Sequence, residues 1–292
     1  MSKLHKFLAF FSFSFLFIIT HAFSSEDLSL WLKKMSITFS GYTKSETLIN
    51  FPALIVLEET DAGIGFYYSD FFSPPYNDLR FADSDGVTPL DFEVETWNDN
   101  GKSYVWVKFP ELTSLTTVYV LWGKEGVTVP TCNTDGSVWS EDFIGVWHMN
   151  QTNALDSTAN ELHAEAFGPI ATTEGVIYRS DEFNGISTYL NIGDNEVLEP
   201  ETITFSAWVK ITGAGSHQDR VFMFSKGRDN VKGFFSYGLA YHNDSRKIGA
   251  ILSNGSVISL EDTVETPWQT WIYVAGSYSE GAFKYYRDGV LR

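Results

Sequence analysis

Residues 203–211 alternate without a break. Phe205, Ala207, Val209 and Ile211 fall on one side of an extended strand, and Thr204, Ser206, Trp208 and Lys210 fall on the other. Just upstream, Thr188, Leu190 and Ile192 share a face, and Gly193-Asp194-Asn195 supplies turn chemistry. One half-buried sheet therefore feeds into another, and two such faces are satisfied by stacking. The expected fold is all-β.

The upstream half has the same character. Residues 36–39, 53–57, 92–97, 104–109 and 117–122 read as strands, with 53–57 apolar enough to be buried on both faces. Asn98-Asp99-Asn100-Gly101 is a hairpin turn between two of them, because Asn and Gly tolerate positive φ. Strands at this spacing predict a β-sandwich over residues 28–129. A polar, turn-rich linker follows over residues 130–140, and a second domain over residues 141–292.

Composition narrows the function. The chain has 292 residues, 43% of them hydrophobic, with 20 Lys and Arg against 37 Asp and Glu, for a net charge of −17. Such a chain repels phosphate backbones and anionic lipid surfaces, so a nucleic-acid partner is excluded. The excess carboxylate suits oxygen-ligand cations or plain solubility. Cys132 is the single cysteine, which removes internal disulfides and thiolate-rich zinc sites. Lys3 and Lys6, an apolar run over residues 7–19, and Thr20-His21-Ala22 form a signal peptide over residues 1–22. The run is shorter than the about 20 residues of a spanning helix, so the protein is expected to be secreted or periplasmic.

No catalytic constellation is visible, and the chain is not expected to be an enzyme. Glu93 and Glu95 share a strand face, as paired carboxylates of a glycosidase would, but a solvated outward face explains them as well. Asp83-Ser84-Asp85-Gly86 could open a calcium loop and reads better as a turn. His148 and His163 lack a third zinc ligand at a suitable spacing. Carbohydrate rings stack on exposed aromatic faces, which makes Trp208, Tyr241 and Trp268 the candidate ligand-binding residues. Core packing is the competing role for such rings.

Several words resemble known families. Asn50-Phe51-Pro52, Asp78-Leu79-Arg80-Phe81, Phe92-Glu93-Val94-Glu95-Thr96-Trp97, Val105-Trp106-Val107-Lys108 and Leu121-Trp122-Gly123 together resemble a bacterial domain of unknown function. It is found in secreted proteins and in some MotA/TolQ/ExbB-type biopolymer transport proteins. Asp156-Ser157-Thr158-Ala159-Asn160, Phe183-Asn184-Gly185, Phe205-Ser206-Ala207-Trp208-Val209-Lys210, Trp271-Ile272-Tyr273-Val274-Ala275 and Tyr286-Arg287-Asp288-Gly289-Val290 resemble the concanavalin A-like lectin/glucanase superfamily. The form is its laminin-G-like jelly roll, with Ala159 in place of the usual glycine.

That resemblance implies a jelly roll whose closing strand is barely begun at Arg292, hence a truncated one. It also implies a calcium ion (Ca2+), with Asp156, Asn160 and Asn184 as candidate ligands. The expected function is non-catalytic recognition of a glycan or of a cell-envelope protein. Two alternatives stand beside it: the extracytoplasmic region of a MotA/TolQ/ExbB-like transport protein with transport-complex partners, and an accessory carbohydrate-binding module of a glycoside hydrolase.

Overall fold

The computed structural model describes residues 26–292 except 62–64, 140–141, 152–153, 214–218, 228–234 and 255. The expected signal peptide, residues 1–22, lies outside the described residues. No described helix is long and apolar enough to cross a membrane. The protein is all-β, with short 3-10 turns and antiparallel sheets.

Seven strands build the first sandwich: β1 (Lys33–Thr38), β2 (Leu48–Leu57), β3 (Arg80–Ala82), β4 (Pro89–Leu90), β5 (Phe92–Thr96), β6 (Ser103–Leu112) and β7 (Thr117–Trp122). They form two sheets, in the orders β1-β7-β3-β4 and β2-β6-β5. The inward residues of both meet in one core, Phe81, Val118, Val120 and Trp122 from the first sheet, and Ile55, Phe92, Val105, Val107 and Phe109 from the second. Period-two alternation gives β6 this role, because Val105, Val107 and Phe109 all point inward. β2 is an edge strand, so its apolar run is buried on one face only and Val56 is exposed.

The loop before β3 is held from within. Asp78 is fully buried, and its carboxylate accepts from the backbone amides of Phe72 (3.0 Å), Ser73 (3.2 Å), Gly123 (2.9 Å) and Lys124 (2.9 Å). Arg80, also buried, donates to both carboxylate oxygens of Glu26 and to the carbonyls of Asn77, Leu79 and Thr128. Two buried ionised side chains are tolerable here because amides, carbonyls and a carboxylate satisfy them.

Residues 130–139, expected as a linker, lie against this sandwich. Val138 and Trp139 are buried, Asn133 Oδ1 accepts from the Val94 amide at 2.9 Å, and Lys108 Nζ donates to the Ser137 carbonyl at 2.8 Å.

The rest of the chain adds two hairpin-sized sheets and a second sandwich. β8 (Glu165–Phe167) pairs with β11 (Tyr189–Asn191), and β9 (Ala171–Glu174) with β10 (Arg179–Glu182). The sandwich comprises β12 (Ile203–Lys210), β13 (Arg220–Lys226), β14 (Phe235–His242), β15 (Lys247–Asn254), β16 (Val257–Glu261), β17 (Trp271–Ser279), β18 (Ala282–Arg287) and β19 (Val290–Leu291). Its sheets run β12-β17-β18-β19 and β13-β14-β15-β16. Phe205, Ile272, Val274 and Tyr285 of one sheet pack on Tyr237, Leu239, Tyr241, Ile248, Ala250 and Leu252 of the other. Gly276 makes room between them, since a Cβ there would come within 2.5 Å of the Phe205 ring. Arg287 and Asp262, both buried, pair at 3.0 Å and tie β18 to the loop after β16. Asp288 and Gly289 take φ of 50° and 75°, the left-handed pair a two-residue β18–β19 hairpin requires.

Candidate functional site

The alternation that buries Phe205 sends Trp208 outward. Trp208 pairs across the ladder with Tyr273, and Lys210 with Trp271. The Trp208 and Tyr273 rings meet at 5.4 Å between centroids, and Trp208 remains 44% exposed. The Tyr273 hydroxyl is fixed to Ser206 Oγ at 2.8 Å, and the Lys210 ammonium lies 4.9 Å from the Trp271 ring centroid. Tyr286 on β18 continues the same face beside Ala275. None of β12, β17, β18 and β19 contains an Asp or Glu, although the chain holds 37 of them. The result is a shallow aromatic platform with hydroxyl and ammonium groups beside it, built on the edge strand β12 and its ladder partner β17.

The other expected binding residues divide. Trp268 is half exposed at the end of the β12–β17 pair, where the Gln269 amide donates to the Ile211 carbonyl. Tyr241 belongs to the core of the second sandwich, and its hydroxyl accepts from Trp268 Nε1 at 3.2 Å. These two residues touch, but only Trp268 reaches solvent.

Two of the three expected calcium ligands, Asp156 and Asn184, accept from nearby backbone amides, and Asn160 reaches back to Ile144. Asp156 is buried, with one carboxylate oxygen accepting from the amides of Val146 and Thr158 and the other from the Thr158 hydroxyl and the Leu162 amide. Asn184 Oδ1 accepts from the amides of Ile186, Ser187 and Thr188. Asn160 Nδ2 donates to the Ile144 carbonyl. The oxygens of Asp156 and Asn184 are thus engaged by the side-chain-to-backbone turns that Asx residues favour. Among the described residues no group of three or more His, Cys, Asp and Glu side chains is placed to hold a metal ion.

Glu93 and Glu95 do share a face, but it is not solvated. Trp139, Asn150 and Ser157 bond to it, and His148 lies between the two carboxylates. His148 Nε2 lies 3.1 Å from Glu93 Oε1, and Nδ1 lies 2.5 Å from Glu95 Oε2. Glu93 also accepts from Trp139 Nε1 (2.7 Å) and Ser157 Oγ (2.7 Å), and Glu95 from Trp106 Nε1 (2.9 Å) and Asn150 Nδ2 (2.7 Å). The Trp106 ring stacks on the imidazole at 6.0 Å. Burial pulls the His148 pKa down, but hydrogen bonds and charge from Glu93 and Glu95 outweigh it and hold the pKa up at about 9. Every carboxylate oxygen in this clamp already accepts a hydrogen bond. With both imidazole nitrogens facing a carboxylate, the cluster ties β5 to Trp139, His148, Asn150 and Ser157.

Sequence reasoning did not find this cluster. It had Glu93, Glu95 and His148 separately, yet the contacts between acid and imidazole span 55 positions of chain. The Trp147-His148 pair beside alternating acids was the available signal.

Two family models match the chain. Residues 184–292 match the one described as the concanavalin A-like lectin/glucanases superfamily, in its laminin-G form. Residues 75–145 match a domain of unknown function (DUF2341). No curated protein and no solved structure matches significantly. The first match covers β12 to β19, the sandwich that carries the aromatic platform, and the second ends within the segment that closes the clamp.

Proposed function

We propose that this protein is an exported, non-catalytic recognition protein that binds glycans on the outward face of β12, β17 and β18. One observation carries the reading: the exposed Trp208 and half-buried Tyr273 form a ring pair on a sheet face whose strands hold no carboxylate, in a chain of net charge −17. Sugar rings present apolar C–H faces that stack on such rings, while Ser206 and Lys210 stand beside them to bind hydroxyls. An acidic patch would instead have marked an ordinary solvated face. Similarity to the concanavalin A-like superfamily supports a binding role for this sandwich. The engagement of Glu93 and Glu95 with His148, two indoles, Ser157 and Asn150 supports a structural role for that pair. Export rests on the leader expected over residues 1–22. Calcium at Asp156, Asn160 and Asn184 forms no part of the reading, because the Asp156 and Asn184 oxygens already accept from backbone amides.

The test is calorimetric titration of the purified protein against a panel of soluble polysaccharides. At least one binds saturably, and Trp208→Ala weakens it roughly 10- to 30-fold, the worth of about 1.5–2 kcal/mol of stacked area. Trp208 is exposed, so this variant folds as the wild type does. Unchanged affinity in Trp208→Ala, or hydrolysis of the bound polysaccharide, overturns the reading.

A further inference from the structure

The first sandwich carries an open cleft of about 590 Å³, lined by no residue of the clamp or the aromatic platform. Its walls are Tyr68, Phe71, Trp97 and Pro75, and its polar lining includes Glu59 and Asp99. We infer that this cleft binds an organic cation, an ammonium group carried on an apolar body.

Trp97 is the floor of the site. Tyr68, Phe71 and Tyr76 surround it with centroid distances of 5.1, 5.0 and 5.2 Å, the first two edge-on. Its indole Nε1 makes no hydrogen bond among the described residues. The ring is thus fixed on its packed sides and only half-buried. Tyr68 is itself buried and its hydroxyl is bound to the Leu57 and Gly101 carbonyls and to Ser103 Oγ, so its oxygen is not open to the cleft. Ring faces are where the negative end of the aromatic quadrupole points.

The charge of the cleft has the same sign. Glu59 gives one oxygen to the Tyr68 amide at 3.0 Å, and Asp99 gives one to Asn100 Nδ2 at 2.6 Å. Neither carboxylate has an ion-pair partner among the described residues, and no Lys, Arg or His lines the cleft. The adjacent Lys102 turns to Glu58 at 3.6 Å. The field is felt inside: the Tyr68 hydroxyl pKa is raised, first by burial and further by the charges of Glu59 and Glu58. An anion is repelled by such a cleft. A bare metal ion finds ring carbons where it needs oxygens. A cation with an apolar body gains from both the ring faces and the carboxylates.

The experiment is calorimetry on the full chain with 3-phenylpropylamine, its neutral counterpart 3-phenylpropan-1-ol, and N-acetyl-lysine methylamide. The expected result is saturable binding of the amine, at least tenfold weaker binding of the alcohol, and loss of affinity as salt is added. The double variant Glu59→Gln/Asp99→Asn alters two exposed side chains, and is expected to lose at least tenfold for the amine while keeping the wild-type melting temperature. Tighter binding of the lysine derivative assigns the cleft to lysine side chains of a partner, and tighter binding of phenylpropylamine assigns it to free amines. Equal binding of amine and alcohol, an unchanged amine affinity in the double variant, or no saturable amine binding in the millimolar range overturns the inference.

Discussion

Asp78→Ala is expected to unfold the first sandwich or to cost it about 5 kcal/mol in urea denaturation. The carboxylate is fully buried and accepts from four backbone amides in two separate loops. Alanine leaves those four donors without an acceptor, and each such loss costs roughly 1–3 kcal/mol. A total of that size rivals the stability of a typical domain, about 5–15 kcal/mol. Asp78→Asn separates charge from hydrogen bonding. Its single oxygen can replace Oδ2, which serves the amides of Phe72, Gly123 and Lys124, while its NH2 group meets the Ser73 amide donor. The asparagine variant is therefore expected to fold, at a smaller cost than alanine. An alanine variant within about 1 kcal/mol of wild type, the size of one ordinary hydrogen bond, would show that water enters and satisfies the amides.

The clamp produces the second large effect, and it depends on pH. His148 has its folded pKa raised from 6.5 to about 9. A group raised in this way binds its proton more tightly in the folded state, so its stabilisation is complete below pH 6.5 and is lost as pH rises through about 9. The window corresponds to roughly 3 kcal/mol, at about 1.4 kcal/mol per pKa unit. Urea denaturation at pH 6 and at pH 10 measures it, with His148→Gln as the reference, because other groups that titrate in this range are shared by both proteins. The wild type is expected to lose roughly 3 kcal/mol more than the variant between the two pH values. At pH 6 the glutamine variant is expected to be less stable by roughly 3–5 kcal/mol, since it leaves two buried carboxylates without their cation. Identical pH slopes would mean that folding leaves the imidazole pKa at its unfolded value, against the clamp's raised one.

The parts that could be read in advance are those set by near neighbours. Period-two alternation placed Phe205 inward and Trp208 outward, and Asn98 to Gly101 and Asp288-Gly289 close hairpins as their residue types demand. The all-β class followed from such local patterns. What escaped depends on partners far along the chain. Asp78-Leu79-Arg80-Phe81 stood out as a familiar word, but its role stayed hidden because Lys124, Thr128 and Glu26 lie 46, 48 and 54 positions away. Glu93 and Glu95 looked solvated because no local pattern shows that Trp139, His148, Asn150 and Ser157 come to them. Tyr241 looked available for stacking because alternation tells two faces apart without saying which faces the second sheet.

Glycan recognition by the second sandwich is tested most directly by hydroxyl-radical footprinting of the full chain, with and without a saturating polysaccharide. The expected result is protection of Trp208, Trp271 and Tyr273 on the outward face, with the loops around Asp156 and Asn184 unchanged. Protection confined to those loops, with Trp208 as reactive as in the free protein, would contradict the assignment of the aromatic face as the binding surface.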